Sequence, residues 1–578
     1  MTMHTLNEIY SLWFQNSSWW FNADKTIDAL LEKHFYTWID NIHLSLCDNL
    51  NELSKEELIG LIILFDQIPR HAYRISYGTH VIQYYLQYAL KVVSYIQAES
   101  HIYNSLNVYE WSFIHLPLRH TQNVNIIHNV MKDIWIKLET CNDTNDILHM
   151  HRFIRATYER CPMNQGDFIK EYITTYDADR NNKKWSNDLY KNLLSYAPEN
   201  EPFIDFKKVA TNKIYNDCKN ICKNKKSLII SLSGGIDSMI CSYIFTTLNK
   251  IYNLNMQIIA VHIDYWNRKE CLQEEQFLID WCSYLDIPLY IRRITEINRK
   301  DSMDNNLRQV YETYTRNVRY STYKTVWSMN NMTNEKDNKD LELPIVILGH
   351  NNDDCIENIL TNITHKCKYD NLTGMDLTGI QDDIIFTRPL LNITKKEIYA
   401  FSREYNIPHL QNSTPSWSMR GQIRDSVRPA LEKWNGESIH GLVELSHNVS
   451  DLYKMMDIII DDLLEKCKSN STKEDEIYGS WNSKKSHIQT SVLFWKTFLY
   501  KLTTFTPSIK SLKAFETQLI RFKSIDINSK KSNSNELSVK VSNEIHIYMS
   551  QNKKNDYCNI MILKEALKKN KLSISVEE

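Results

Sequence analysis

The stretch Ser227-Leu228-Ile229-Ile230-Ser231-Leu232-Ser233-Gly234-Gly235-Ile236-Asp237-Ser238, continuing as Met239-Ile240-Cys241-Ser242-Tyr243-Ile244-Phe245, decides the fold of this chain. It opens as a short apolar run, the pattern of a buried parallel strand. It breaks at Ser-Gly-Gly and resumes with apolar residues at helical spacing. A strand, a tight glycine turn and a helix N-terminus in that order build an anion site, because the turn's N–H groups and the helix dipole point at the same place. Gly234 and Gly235 allow a tight turn and close approach of a ligand to the backbone. Ser233 and Ser238 offer hydroxyls. Asp237 beside a phosphate would repel it, so its presence calls for a divalent cation, Mg²⁺, between them.

Only 12 glycines occur in 578 residues, and two stand adjacent here. The bland alternative is an ordinary strand-to-helix turn. The whole string Ser-Gly-Gly-x-Asp-Ser after a strand is more specific than that, and it resembles the PP-loop of the N-type ATP pyrophosphatases. The resemblance implies cleavage of ATP between its α- and β-phosphates and adenylylation of a substrate oxygen. It implies ATP contacts from Ser233, Gly234, Gly235, Ile236, Asp237 and Ser238, with Asp237 also the metal ligand. A Walker loop is excluded, because no Gly-Lys-Ser/Thr occurs.

A chain of this length is expected to hold two to four domains. Its formal net charge of −2 removes whole-chain polycation behaviour, so any basic surface is local. No basic segment followed by an apolar core opens the chain, and runs such as Leu61–Phe65 are too short to span a bilayer. A soluble, cytoplasmic protein with no membrane partner is expected. The 12 scattered cysteines, with no Cys-x-x-Cys, read as reduced thiols; Cys218 and Cys222 read as packing residues on a helix.

Residues 1–185 read as an all-helical domain. Ser54-Lys55-Glu56-Glu57 is a capping box that starts a helix with Leu58–Phe65 as its apolar body. Pro69 is expected to end or kink that helix, and Pro117 marks a second break. The patterns Leu-x-Asp-Gln-x-Pro-Arg-x-x-x-Arg and Pro-Leu-x-His resemble an uncharacterised, mostly bacterial family of tetratricopeptide-like helical proteins. Arg70, His71, Arg74, Arg119, His120 and His151 are candidates for a polar cluster. They either pair with acids and cap helix ends, or they contact a partner or RNA. The polar stretch at about 176–200 is read as linker and domain boundary.

Residues 186–435 read as an α/β domain. Further strands are expected at Met256–Asp264, Leu289–Ile294 and Ile345–His350, with a helix at 270–285 carrying Phe277, Leu278, Trp281 and Leu285 on one stripe. Strands alternating with helices imply a parallel, Rossmann-like sheet whose ligands sit beyond the strands' carboxyl ends. Three motifs fall at such ends: Ser233–Ser238, His262-Ile263-Asp264, and Gly349-His350-Asn351-Asn352-Asp353-Asp354-Cys355-Ile356-Glu357. Asp354 and Glu357, at i and i+3, share a helix face. Two close carboxylates can hold an ammonium group, take a proton from an amine, or bind Mg²⁺. The plainer reading is acids offsetting a helix dipole.

Gly-His-x-x-Asp-Asp-x-x-Glu following Ser-Gly-Gly-x-Asp-Ser resembles the tRNA(Ile)-lysidine synthetases. Arg316-Asn317-Val318-Arg319-Tyr320, Gly374-Met375, Arg388-Pro389-Leu390-Leu391, Lys396-Glu397-Ile398 and Met419–Pro429 fit that family in order, over residues 225–435. Tyr265, Asn358, Gly421 and Gln422 depart from its pattern. The resemblance implies that Asp237, Asp354 and Glu357 are catalytic, the last two holding the lysine amine. It implies that His262, Asp264 and His350 border the nucleotide, and that Arg316, Arg319, Arg388, Arg420, Arg424 and Arg428 contact substrate or tRNA. The last three recur every four residues, as one basic helix face. Expected partners are tRNA, free lysine or another small amine, and a second copy of the chain as a homodimer.

Residues 436–578 are expected to be a mixed α+β, tRNA-binding region. Helices are read at 445–465, 494–502 and from 507, a polar stretch at 467–487, a linker at 524–535, and strands at 537–542, 544–549 and 557–563. Rival functions are a PP-loop enzyme with another nucleophile, in thiolation or amidation, and a non-enzymatic RNA-binding scaffold. The absent Cys-x-x-Cys counts against thiolation, and the basic helix against a small-molecule synthetase. Intact Asp237, Asp354 and Glu357 count against a scaffold.

Overall fold

The computed structural model describes residues 5–20, 25–40, 47–72, 79–121, 123–161, 169–177, 190, 192–200, 202, 213–222, 225–331, 343–365, 370–411, 418–469, 477–524, 536–551 and 556–564. Arg74, much of the 176–200 boundary segment and the 525–535 linker lie outside the described residues. The chain folds as two compact units, residues 1–353 with 376–413, and residues 354–375 with 414–578.

The first unit begins with helices, among them Leu6–Gln15, Lys55–Ile62, Thr79–Ala98, Val108–Arg119, Val124–Glu139 and Thr144–Glu159. Reciprocal capping boxes start three of them, at Thr5/Glu8, Ser54/Glu57 and Asn107/Glu110. Neither proline ends the helical run at its own position, but the helix changes type just before Pro69. The Lys55 helix passes into a π turn, Ile63–Gln67, and then into α-helix Ile68–Ala72, with the Ile68 N–H donating to the Ile63 carbonyl. The wider turn comes just before Pro69, where the ring would otherwise press on the preceding turn. Pro117 sits inside Val108–Arg119, near the end of that helix, where little hydrogen-bond ladder remains to be lost.

The strands are β1 (Ile173–Tyr176), β2 (Leu194–Tyr196), β3 (Ser227–Ser231), β4 (Gln257–Asp264), β5 (Leu289–Arg293), β6 (Ile345–Ile347), β7 (Thr378–Gln381), β8 (Ile384–Thr387), β9 (His409–Leu410), β10 (Ile477–Lys484), β11 (Glu536–Lys540), β12 (His546–Gln551) and β13 (Tyr557–Leu563). The main sheet of the first unit runs β1-β5-β4-β3-β6-β8-β7. Its five inner strands are parallel, and β1 and β7 close the edges antiparallel. Both faces are covered. Leu228, Ile230 and Ala260 pack with the helices Ile236–Ile251 and Cys271–Leu285, while Ile229, Ile259 and Val261 pack with Tyr323 and Val326 of the helix Arg308–Asn331. That two-sided burial is why β3 and β4 are apolar almost without alternation.

The N-terminal helices share one hydrophobic core with Ile294, Ile297, Leu307, Tyr311, Tyr314 and Val318, which follow β5. A buried polar link reinforces it. Tyr158 donates to the Glu296 carbonyl at 2.5 Å, Tyr314 donates to Glu296 Oε1 at 2.9 Å, and Arg292 is ion-paired to the Glu296 carboxylate.

In the second unit the helix Ser438–Ser469 is followed by β10, the helices Val492–Thr503 and Ile509–Ser524, and β11 to β13. The strands form an antiparallel sheet in the order β10-β13-β12-β11. Part of the stretch read as polar at 467–487 is therefore a strand, β10. No helix among the described residues is long and apolar enough to cross a membrane.

Candidate functional site

Strands β4, β3 and β6 lie side by side and parallel, so Asp264, Ser233 and His350 all follow the same edge of the sheet. The first two motifs and the start of the third, Gly349 to Asp353, therefore follow one edge within the first unit. The loop after β3 is braced internally. The Ser233 N–H donates to Ser238 Oγ at 3.1 Å, the Ser238 hydroxyl donates to the Gly235 carbonyl at 2.9 Å, and the Gly235 N–H reaches Ser233 Oγ at 3.4 Å. Gly234 has φ +80°, which only glycine adopts without strain, and a Cβ there would meet Leu410 Cδ1 at 2.4 Å. Gly235 is the N-cap of the helix Ile236–Ile251, and no side chain caps that end. Its first N–H groups thus face the loop, the arrangement that receives an anion.

Asp237, in the first turn, is held on both oxygens. Asn351 Nδ2 donates to Oδ1 at 3.0 Å, and Lys395 Nζ donates to Oδ2 at 2.6 Å. Asn351 is 3 % exposed, and its own Oδ1 receives the Asp353 N–H at 2.9 Å. Lys395 is the first residue of the helix Lys395–Glu404, whose start is set by the Thr394/Glu397 capping box. Neither residue was assigned a role from sequence. The box was a readable signal for the helix start, but nothing local connects Lys395 with a loop 158 residues earlier. Gly349 presses on the same loop: a Cβ on it would lie 2.9 Å from the Asp237 backbone carbon and 3.0 Å from the Ser238 nitrogen.

His262 is buried and donates from Nδ1 to the Leu232 carbonyl at 2.8 Å. Burial pushes its pKa down, so the ring is the neutral tautomer pinned to the loop's entrance. Asp264 Oδ1 accepts the Trp266 N–H at 2.8 Å. Arg388 donates from Nε to His350 Nδ1 at 3.2 Å and from Nη1 to the Asp376 carbonyl at 2.8 Å. Arg316 is exposed and Arg319 lies over the Tyr320 ring at 5.4 Å; among the described residues neither has a hydrogen bond or ion pair to the loop.

In the second unit Glu357 is the centre of a separate cluster. Its side chain is 5 % exposed, and Oε1 receives both Arg424 Nη2, at 2.6 Å, and Arg424 Nε, at 3.0 Å. Oε2 is buried without a hydrogen bond, with Arg420 Nε 4.0 Å away. Burial raises the carboxyl's pKa against the pull of Arg424, and Asp354 adds to the rise. Arg420 also donates to Asn358 Oδ1 at 3.2 Å, and Arg428 pairs with Glu432 at 2.8 Å. The expected single basic face is therefore corrected. A π turn, Ile423–Val427, interrupts the helix; Arg420 and Arg424 turn to Glu357, and Arg428 to its own helix.

The N-terminal candidates divide likewise. Asp66 accepts from Arg70 at 2.9 Å and His120 at 3.0 Å; burial alone would raise its pKa, but these two neighbours hold it well below the carboxylate range. His71 pairs with Asp28 at 2.7 Å, Arg119 donates to Thr157 at 3.2 Å, and His151 is half-buried. These contacts favour the reading of acid-paired helix ends.

Residues 206–431 match the family model described as PP-loop domain. The central region is a PP-loop domain. Residues 9–166, all helical where described, match a bacterial protein of unknown function (DUF924). Over 236 residues the chain is 28 % identical to a tRNA(Ile)-lysidine synthase of Chlamydia muridarum, covering 40 % of this chain and 66 % of that protein. Over 234 residues it is 25 % identical to a tRNA(Ile)-lysidine synthase of Staphylococcus aureus, covering 40 % of this chain and 49 % of that protein. The match thus spans about half to two thirds of these relatives' length. Among solved structures, a U34-tRNA thiolase from Methanococcus maripaludis shows a TM-score of 0.30 at 17 % identity, covering 43 % of this chain and 81 % of that one.

Proposed function

We propose that the chain is an ATP-dependent tRNA-modifying ligase of the lysidine synthetase kind. The carrying observation is the PP-loop itself: an uncapped helix N-terminus behind a positive-φ glycine, with Asp237 in its first turn and Lys395 beside it. In this reading the loop's N–H groups receive the phosphates of ATP. Oxygen O2 of a cytidine in an anticodon loop attacks the α-phosphate, and pyrophosphate leaves. The ε-amine of free lysine then attacks C2, the C2–O bond breaks, AMP departs, and the amine's proton passes to a carboxylate. A base must be unstacked to react in this way, which suits a single-stranded loop.

His262, Asp264, His350 and Arg388 border the nucleotide in this account. Lys395 moves its charge from Asp237 to the phosphates as ATP binds. Asp237 would be the protein's ligand to Mg²⁺. The carboxylate stands in the first turn of the helix behind the loop, and a hard oxygen ligand there suits Mg²⁺. Such an ion supplies neutralisation of phosphate charge. Glu357 and Asp354 take the lysine ammonium, the buried Oε2 of Glu357 being the acceptor left for it. Arg424 is recast as the residue that orients Glu357. Arg316, Arg319, Arg420 and Arg428 are assigned to RNA phosphates. Thiolation is disfavoured because all described cysteines are buried or half-buried.

The test is ATP–pyrophosphate exchange with and without tRNA. Exchange that requires tRNA, and that Asp237→Ala lowers by about 100-fold while tRNA binding persists, supports the proposal. Full exchange by Asp237→Ala refutes it.

A further inference from the structure

A cleft in the N-terminal helical region has no part in the chemistry above. It encloses about 810 Å³, within the range of small-molecule sites. Its walls are Tyr10, Phe14 and Trp20 from the first helix and the turn after it, Tyr109 from the start of the Val108–Arg119 helix, and one face of the Thr144–Glu159 helix. That face presents Asn145, His149, Arg152 and Phe153 at helical spacing.

The rings are continuous. Phe14 and Trp20 lie 5.5 Å apart, Trp20 and Tyr109 5.7 Å, and Tyr109 and His149 4.6 Å. His149 is buried, its Nε2 is 3.0 Å from Ser112 Oγ, and burial pulls its pKa down to about 4, so it is a neutral ring at neutral pH. Arg152, exposed, is the one charged residue on the lining and has no carboxylate in ion-pair range among the described residues. The nearby acids stand at the far end of the same helix. Asp143 caps it, accepting the Asn145 and Asp146 N–H groups, and Asp146 is six residues, about 9 Å, before Arg152. Glu110, behind the wall, is held by Tyr10 and Lys55.

A wall of neutral rings with an amide at one end and a single guanidinium at the other selects a flat, uncharged heteroaromatic ring that carries one anionic group. We propose that this cleft binds a nucleoside monophosphate unit, with the base against Trp20, Tyr109 and His149 and the phosphate on Arg152. The unit can come from a free nucleotide or from an unstacked residue of a single strand, which presents the same ring and phosphate.

Photolabelling of the full chain with 8-azidoadenosine 5′-monophosphate, followed by peptide mapping, tests this. Label is expected on peptides spanning residues 10–20, 107–109 or 145–156, separately from any label near 233–238, so the result does not depend on the PP-loop assignment. Arg152→Ala is expected to lower cleft labelling at least about fivefold, and Arg152→Lys to restore most of it, one lost charge-assisted contact being worth that much or more. Competition by a 5′-phosphorylated trinucleotide better than by AMP identifies a strand as the source; equal competition identifies the free nucleotide. Absence of label from all three peptides, or labelling unchanged in Arg152→Ala, overturns the proposal.

Discussion

Replacing Gly349 with alanine adds one methyl group where the loop has no room. The new Cβ would stand 2.9 Å from both the backbone carbon and the Cβ of Asp237, and 3.0 Å from the Ser238 nitrogen. Carbon atoms prefer a separation of about 3.5–4.0 Å, so the two segments must part by roughly 0.6–1 Å. Gly349 is not among the described glycines of positive φ, which are Gly234 and Gly374, so alanine meets no backbone penalty there. The whole effect is steric, and the obstacle is backbone that cannot swing aside. Overpacking of this size costs about 1–3 kcal/mol of stability. Displacing Asp237 by a large fraction of an ångström is expected to slow tRNA-dependent pyrophosphate exchange by about 10- to 100-fold. Urea unfolding and the exchange assay read the two quantities. Gly379→Ala is the control, because nothing lies within 4 Å of a Cβ there. Wild-type exchange and stability in Gly349→Ala would refute the claim that β6 clamps the loop through this glycine.

Lys395→Ala should weaken ATP binding, read as a several-fold rise in KM for ATP, with little loss of stability, since a half-exposed ion pair contributes about 0–1 kcal/mol. Gly234→Ala should be destabilising by about 1–3 kcal/mol from its φ of +80°, and Leu410→Ala in the same chain should relieve the clash but not that strain, as paired urea titrations would show. Burial holds both His115 and His149 at about 4, below the ordinary histidine value of about 6.5. The folded state therefore binds fewer protons than the unfolded one between those values, and stability is present above about pH 6.5 and lost as pH falls toward 4. The helical region should lose structure in that window, followed through Trp111 fluorescence because His115 stacks on that ring at 3.7 Å; His115→Gln should flatten the dependence.

The parts of this fold that could be read from sequence are those where one physical demand dominates. Strands β3, β4 and β5 are buried on both faces, so they appear as apolar runs, and the glycine turn after β3 is marked by two residues that are rare in this chain. Edge strands escaped notice for the opposite reason. β1 (Ile-Thr-Thr-Tyr) and β7 (Thr-Gly-Ile-Gln) are partly exposed, and their strand character comes from pairing with β5 and β8. β10 carries Gly479, Ser480, Asn482 and Ser483, and is a strand because β13 pairs with it while Trp481 fills the core. Pro69 and Pro117 were read as breaks because the π turn that accommodates Pro69 has no sequence signature. At the site, the PP-loop and the His350 to Glu357 motif are local strings and were visible. The contacts of Lys395 and Asn351 with Asp237, and of Arg424 with Glu357, depend on chain segments 67 to 158 residues apart and only the folded structure supplies them.

The central claim is that lysine is joined to cytidine. Incubation of the purified chain with ATP, Mg²⁺, isotope-labelled lysine and total tRNA, followed by nucleoside mass spectrometry, tests it most directly. The account predicts a labelled lysine–cytidine nucleoside that is absent without ATP and absent with Asp237→Ala. AMP formation that depends on RNA, with no lysine in any nucleoside, would contradict it.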